Sequence, residues 1–411
     1  MSQALLHIDD ESIHALYMIQ SNPSSCIEYE CSDILIENRI LVENEDEDLN
    51  YYISNVLKTQ FDPTEVQATI LTTRACNFNC SYCYEKERPN VYLTPEVEDD
   101  IFKFLFENTK MKRLFVSWYG GEPLLNFSSI ERLSQRFINT GIDYSASMIT
   151  NGFLLDKAKA EKLNSLNIKT LQITIDGVKS VHDERRPLAG GGGTFTKIID
   201  NIRALLLIND RIKINIRVNV DRRNMSQFHK VVSYFRESFN DDSFDQINVY
   251  PGFVSDELDN NCVAHENDMS LGCKKASYTL SLLREHGIQI DGFLPQLHFR
   301  GCIAKQFYGY VIGPQGELYN CWETIGRPEY IVGDVKTGID DYKYASDLLA
   351  DSFLFDPICH SCQYIALCGG GCPILRRRKM KGDNVNYCCP EKSHITQLVE
   401  AKYESLLKGT K

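Results

Sequence analysis

The sequence predicts an α/β fold built on a parallel sheet, and two observations predict it. Strand-like and helix-like patterns alternate from residue 66 to residue 251, and strand–helix units of this length imply parallel strands joined by right-handed crossovers. Several of the turns after those strands are rich in glycine, cysteine and acidic residues, and the C-terminal ends of the strands are where such folds gather their chemistry.

Residues 1–64 form a separate-looking acidic segment, expected as a small α+β unit, with short apolar runs at 34–36 and 40–42. The stretch 43–50 is acidic and reads as an exposed turn or helix start. Cys26 and Cys31 have no other ligand type nearby and read as ordinary thiols. Residues 65–255 hold the alternating units. Gln67 to Thr73 is the first strand and runs straight into a cysteine loop. Thr94 and Pro95 open a helix, Thr as N-cap and Pro in the first turn, with Ile101, Phe102, Leu105 and Phe106 as its apolar stripe. Arg113 to Trp118 is the second strand, followed by a helix through Ile130, Leu133 and Phe137. Ser147 to Thr150 is the third, with a helix from Lys157 to Leu166. Thr170 to Ile175 and Lys213 to Val220 follow, each with its helix (Phe195 to Ile208, Gln227 to Phe239), and Gln246 to Pro251 is the sixth strand. Residues 256–300 bridge to the rest with one helix over 272–287 and contain Cys262 and Cys273. Residues 301–411 form a cysteine-rich C-terminal domain.

Composition narrows the function classes. Of 411 residues, 43% are hydrophobic and 24% charged, as expected of a soluble globular chain. No run approaches the roughly 18 apolar residues of a membrane helix. The N-terminus lacks a basic region followed by an apolar core, so no signal peptide is read and a cytoplasmic location is expected. The net charge of −12 argues against a nucleic-acid partner. The dense basic run from Arg376 to Lys381 reads as a solvated helix face. Fifteen cysteines in such a chain point to metal binding or catalysis, since disulfides are disfavoured in the cytosol.

Cys76, Cys80 and Cys83 stand at the spacing CxxxCxxC, with Tyr82 before the last. Thiolates hold iron–sulfur clusters, and a [4Fe–4S] cube needs four ligands. Three protein thiolates leave one iron open to a small molecule. A zinc site or a disulfide pair is the other reading of this motif alone, although zinc sites collect four ligands and no second pair lies close by. The motif resembles the signature of the radical S-adenosylmethionine (SAM) enzymes. In that family the open iron binds SAM, and the reduced cluster cleaves it to a 5'-deoxyadenosyl radical that takes hydrogen from an unactivated carbon. The resemblance implies a partial (β/α)6 barrel.

The loops after the strands fit the resemblance. Gly120, Gly121, Glu122 and Pro123 follow the second strand, where the family contacts the amino group of SAM. Thr150, Asn151 and Gly152 follow the third, and the family's similar turn lies near the ribose or carboxylate. After the fourth come Asp176 and Gly177, then His182 to Pro187, similar to the DG…HD…R stretch of peptide and protein maturases. Arg185 or Arg186 is the candidate clamp for the SAM carboxylate, a surface salt bridge being the alternative. The glycine run 190–193 reads as a mobile loop beside that site.

The C-terminal cysteines follow C…Gx4C…Cx2Cx5Cx3C…C. This pattern resembles the SPASM domain of radical SAM maturases. The resemblance implies two auxiliary [4Fe–4S] clusters beside the SAM-binding one. Cys302, Cys321 and Cys372 serve the first, with Cys273 as fourth ligand or none. Cys359, Cys362, Cys368 and one of Cys388 or Cys389 serve the second. The N-terminal segment resembles the part of such enzymes that recognises a leader peptide.

Together these features imply an enzyme that acts on a ribosomally made precursor peptide, with flavodoxin or ferredoxin as reductant, and closes an intramolecular thioether or carbon–carbon crosslink. Two other functions stay open. One is an anaerobic sulfatase maturase that makes formylglycine; the other is an Fe–S electron-transfer protein without catalysis.

Overall fold

The computed structural model describes residues 9–22, 29, 31–37, 40–42, 44–83, 85, 87–221, 223–254, 278, 281–282, 297, 299–340, 342–344, 348, 352–389, 392 and 395–407. Cys26, Cys262, Cys273 and the helix expected over 272–287 fall outside them, apart from isolated helical residues at 278 and 281–282.

Three helices come first among the described residues, α1 (Asp10–Ser21), α2 (Ser32–Glu37) and α3 (Glu45–Gln60), so the described part of the N-terminal segment is helical rather than α+β. The acidic stretch is the start of α3, where the Asn44 side chain accepts the Glu47 N–H. The alternating region then runs β1 (Glu65–Thr73), α4 (Pro95–Phe106), β2 (Arg113–Gly120), α5 (Phe127–Asn139), β3 (Asp143–Thr150), α6 (Lys157–Lys162) and β4 (Ile168–Thr174). It continues with α7 (Lys179–Arg185), α8 (Phe195–Ile208), β5 (Lys213–Val220), α9 (Phe228–Ser238), α10 (Asp241–Phe244) and β6 (Ile247–Phe253). Strands β1 to β6 pair in parallel and in sequence order, as the alternation predicts. Helix α6 ends at Lys162, short of Leu166, and the chain turns through Asn167 at φ 53° into β4.

Burial alternates along these strands, as a two-residue period demands. Val116, Trp118, Met148, Ile173, Ile216 and Val218 pack against the helices. The opposite face is polar: Ser117 meets Ser147 at 3.1 Å, and Tyr250 Oη donates to Gln172 Oε1 at 2.6 Å.

The sheet does not stop at the barrel. Strand β7 (Gly309–Ile312) pairs in parallel with β1, and β8 (Glu317–Tyr319), β9 (Gly333–Asp334) and β10 (Gly338–Ile339) extend it to ten strands. The segment 1–64 is not separate either. Tyr52 and Val56 of α3 share a core with Phe353, Cys359, Ile365 and Ala366 of the cysteine-rich region. The aliphatic and aromatic side chains that join them lie some 300 residues apart in the chain, which no local pattern can show. Among the described residues, no helix is long and apolar enough to cross a membrane.

Candidate functional site

The cysteine loop leaves the end of β1 and is held from two sides. On one side lies the turn after β2. Gly121 N donates to Thr73 O and Glu122 N to Ala75 O, both at 3.0 Å. Only glycine permits this approach: a Cβ at position 120 would lie 2.2 Å from Thr73 O, and one at 121 would lie 2.4 Å from Ala75 O. On the other side lies the segment after α7, where Asn79 N donates to Pro187 O and Ala189 N to Asn77 O, both at 2.8 Å. Leu188 and Phe78 form a β-bridge there. The glycine run expected as a mobile loop thus begins in a turn hydrogen-bonded to the cysteine loop, with Gly191 N on Leu188 O at 2.9 Å.

Buried polar side chains fasten these pieces together. Glu122 is fully buried and accepts from Thr150 Oγ1 at 2.7 Å, Asn151 N at 2.7 Å and Leu124 N at 3.0 Å. Burial raises its pKa, opposed by those three donors. Asn151 Nδ2 donates to Asn77 Oδ1 at 2.8 Å, linking the β3 turn to the cysteine loop. Tyr82 turns inward, and its hydroxyl accepts from Arg186 Nη1 at 2.5 Å and Asn219 Nδ2 at 3.1 Å. Burial raises the Tyr82 pKa.

The DG…HD…R stretch is structural scaffolding in large part. His182 is fully buried, with Nδ1 accepting the Asp176 N–H at 3.3 Å and Nε2 paired with Thr194 Oγ1 at 3.1 Å. Desolvation pushes its pKa down to about 3, so it is neutral. Asp183 accepts the N–H groups of Thr194 and Phe195 at the start of α8. Neither candidate arginine is a surface salt bridge. Arg185 pairs with Asp221 at 2.8 Å and with Asp176 at 3.4 Å, its guanidinium over the Tyr82 ring. Arg186 is buried and, among the described residues, pairs with no carboxylate, and its Nε has no partner.

The twelve described cysteines are free thiols, so the disulfide reading of the first motif fails. Burial pushes Cys76 up to about 12 and raises Cys83. Arg88 opposes both shifts, and it donates to the carbonyls of Phe78 and Cys80. Nothing in the sequence marked Arg88 except its place five residues after the motif. The loop fits a cluster with an open iron and an anionic ligand. It offers three half-buried thiols, and two buried donors beside them, Asn77 Nδ2 and Arg186 Nε, lack an acceptor among the described residues.

In the C-terminal field, Cys302, Cys321 and Cys372 lie within electrostatic reach of one another. Burial raises the pKa of Cys321 and Cys372. A cavity of about 500 Å³ between α3 and this field is lined by Cys302, Cys368, Cys372, Tyr52 and Lys305, which leaves room for a cluster. Cys368 is drawn down to about 6, first by the Cys389 thiol and also by the Cys389 N–H at 3.2 Å. Cys388 lies within electrostatic reach of Cys368 and Cys362. The basic run needs a correction: Arg376 is 4% exposed, not solvated, because it pairs with Asp356 at 2.5 Å and donates to Gly370 O at 2.9 Å. The C-terminal field meets the end of β2 where the Trp322 ring, next to Cys321, lies 6.2 Å from that of Tyr119.

Comparison with known proteins agrees with this geometry. Residues 70–234 match the Radical SAM superfamily. The cysteine-type anaerobic sulfatase-maturating enzyme of Clostridium novyi is 24% identical over 357 residues, 76% of this chain and 89% of that one. Two further curated relatives, 28% and 27% identical, are matched over 55% and 39% of their own length, so the chain spans about half of each. Two solved structures share the fold. One is native anSMEcpe with bound AdoMet and Cp18Cys peptide (TM-score 0.63, 20% identity, covering 84% of this chain and 98% of that one). The other is Streptococcus suis SuiB bound to precursor peptide SuiA (TM-score 0.55, 14% identity, 92% and 91% covered). The match to the Radical SAM superfamily thus falls on residues 70–234, which carry the cysteine loop and the turns that hold it.

Proposed function

We propose that this enzyme is a peptide maturase that forms an intramolecular thioether or carbon–carbon crosslink in a ribosomally made precursor. The observation that carries this reading is a second thiol field, beginning at Cys302 and Cys321, joined to the sheet that carries the first cysteine loop, with Trp322 against Tyr119 of β2. The peptide-bound state of SuiB, whose fold this chain matches nearly end to end, supports it.

Cys76, Cys80 and Cys83 hold the SAM-binding [4Fe–4S] cluster. When bound and reduced by a flavodoxin or ferredoxin, that cluster and SAM supply a hydrogen-abstracting 5'-deoxyadenosyl radical. Arg186 rather than Arg185 holds the SAM carboxylate, because Arg185 is already committed to Asp221 and Asp176. The Gly120–Gly121 turn would receive the amino group of SAM, and Glu122, Pro123, Thr150 and Asn151 keep the turn in place. Asp176 keeps Arg185 and Asn219 against Tyr82. The polar inner face from Ser117 to Tyr250 receives the peptide, whose position close to the radical is what confines the reaction. Cys302, Cys321 and Cys372 hold one auxiliary cluster. Cys359, Cys362, Cys368 and Cys388 or Cys389 hold the other. Residues 1–44 take the leader, and the enzyme is cytoplasmic.

The test is anaerobic incubation of the reduced enzyme with SAM and, separately, a cysteine-rich precursor peptide and a sulfatase peptide. Loss of two hydrogens with thiols consumed is the expected product of the first. An aldehyde on the second peptide alone replaces this proposal with formylglycine formation, a reading favoured by the 89% coverage of the sulfatase-maturating enzyme. Absence of 5'-deoxyadenosine with either peptide leaves only an electron-transfer role. Deleting residues 1–44, which spares α3, tests the leader site: unchanged affinity for the leader removes it.

A further inference from the structure

Charged donors are distributed unevenly over the two C-terminal thiol sets. Buried Arg376 directs Nη2 to Cys359 Sγ at 3.0 Å, and its guanidinium lies 4.2 Å from the Tyr387 ring centroid. Lys392 Nζ donates to Cys362 Sγ at 3.3 Å. Cys368 accepts the Cys389 N–H at 3.2 Å and faces the Lys305 ammonium. Around Cys302, Cys321 and Cys372 the donors are neutral backbone N–H groups of Glu323, Ile374 and Leu375. The carboxylate of Glu323 faces Cys321 and Cys372, with Arg217 and Arg327 behind it. Lys305 lies against both sets, and each set also faces a carboxylate, for Asp356 pairs with Arg376 and accepts from Cys359 Sγ at 3.5 Å. The comparison therefore turns on the two cationic N–H···S bonds, which only the Cys359/Cys362/Cys368 set has among the described residues.

Hydrogen bonds and positive charge at a ligating sulfur favour the more negative, reduced state and raise its potential. On the reading that each set holds a four-iron cluster, we propose that Arg376 and Lys392 are positioning residues. They place the reduction potential of the Cys359/Cys362/Cys368 site above that of the Cys302/Cys321/Cys372 site. A single electron shared by the two sites then rests on the former. That site lies toward the exposed side chain of Lys392, where an external acceptor can reach it.

The test is a potentiometric titration of the full-length, reconstituted protein, followed by electron paramagnetic resonance. The wild-type protein should show two auxiliary waves, of which Cys302→Ala removes the lower. Arg376→Met should move the upper wave to lower potential and leave the lower wave in place. Arg376→Lys should recover part of the shift. Arg376 is buried, so its loss can cost folding; Lys392→Met avoids this and should give a smaller shift in the same direction. An upper wave that ignores both Met variants, or a lower wave that moves instead, overturns the proposal. Failure of the underlying reading shows separately, in iron analysis. About twelve irons per chain fit three cubes, whereas about four leave no auxiliary sites, and the inference falls with them.

Discussion

Thr150 Oγ1 donates to Glu122 Oε1 at 2.7 Å with both residues buried, so the turns after β2 and β3 are locked to each other beneath the cysteine loop. Glu122→Ala strands three donors, two of them backbone N–H groups. An unpartnered buried polar group costs about 1–3 kcal/mol, so the variant should lose about 3 kcal/mol in urea unfolding. Thr150→Ala leaves those two backbone donors paired but strands the Gly152 N–H, which Thr150 Oγ1 accepts at 3.0 Å, and should lose about 1–3 kcal/mol.

Gly121→Ala forces a methyl onto the Ala75 carbonyl. Backbone must move, so about 3 kcal/mol or more of stability should be lost, together with iron at the first loop. Gly190→Ala, where nothing lies within 4 Å, should stay within about 0.5 kcal/mol of wild type. Thermal melting and iron content separate the two.

Cys76→Ala should remove about four of about twelve irons per chain and abolish 5'-deoxyadenosine formation, while the C-terminal sites keep theirs. Iron and sulfide analysis beside a chromatographic assay reads both. Loss of all iron would show that the two regions do not load independently.

Tyr52→Ala opens a cavity where α3 meets the cysteine-rich region. Large-to-small changes of this kind cost about 3–5 kcal/mol. Because Tyr52 also lines the space beside Cys302 and Cys372, iron should be lost from the C-terminal field ahead of the first loop.

His182 gives a defined pH dependence. Its native pKa of about 3 lies below the ordinary value of 6.5. Below pH 6.5 the unfolded chain takes up a proton that the native chain refuses. Stability is therefore full above pH 6.5 and falls by up to about 1.4 kcal/mol per pH unit as pH drops toward 3. His182→Asn should flatten that limb of a urea-midpoint profile against pH.

Much of the barrel was legible in order along the chain. The apolar period that marks β1 to β6 and their helices is set by neighbours two to four residues apart. The spacing of Cys76, Cys80 and Cys83 is equally local, so the motif stands out before any fold is known. What escaped depends on residues distant in sequence. Strands β7 to β10 are two to four residues long, too short to show a period, and they exist because β1 offers an edge. Arg376 sits in a basic run that reads as solvated, yet Asp356 and Cys359, 20 and 17 residues away, draw it into the interior. Arg185 and Arg186 are equivalent in the sequence, and only the tertiary structure gives one two carboxylates and the other, among the described residues, none. Pattern along the chain reports the periodic demand of burying apolar surface. The partner of a buried charge is chosen in three dimensions, by the carboxylates and hydroxyls that the fold brings within reach.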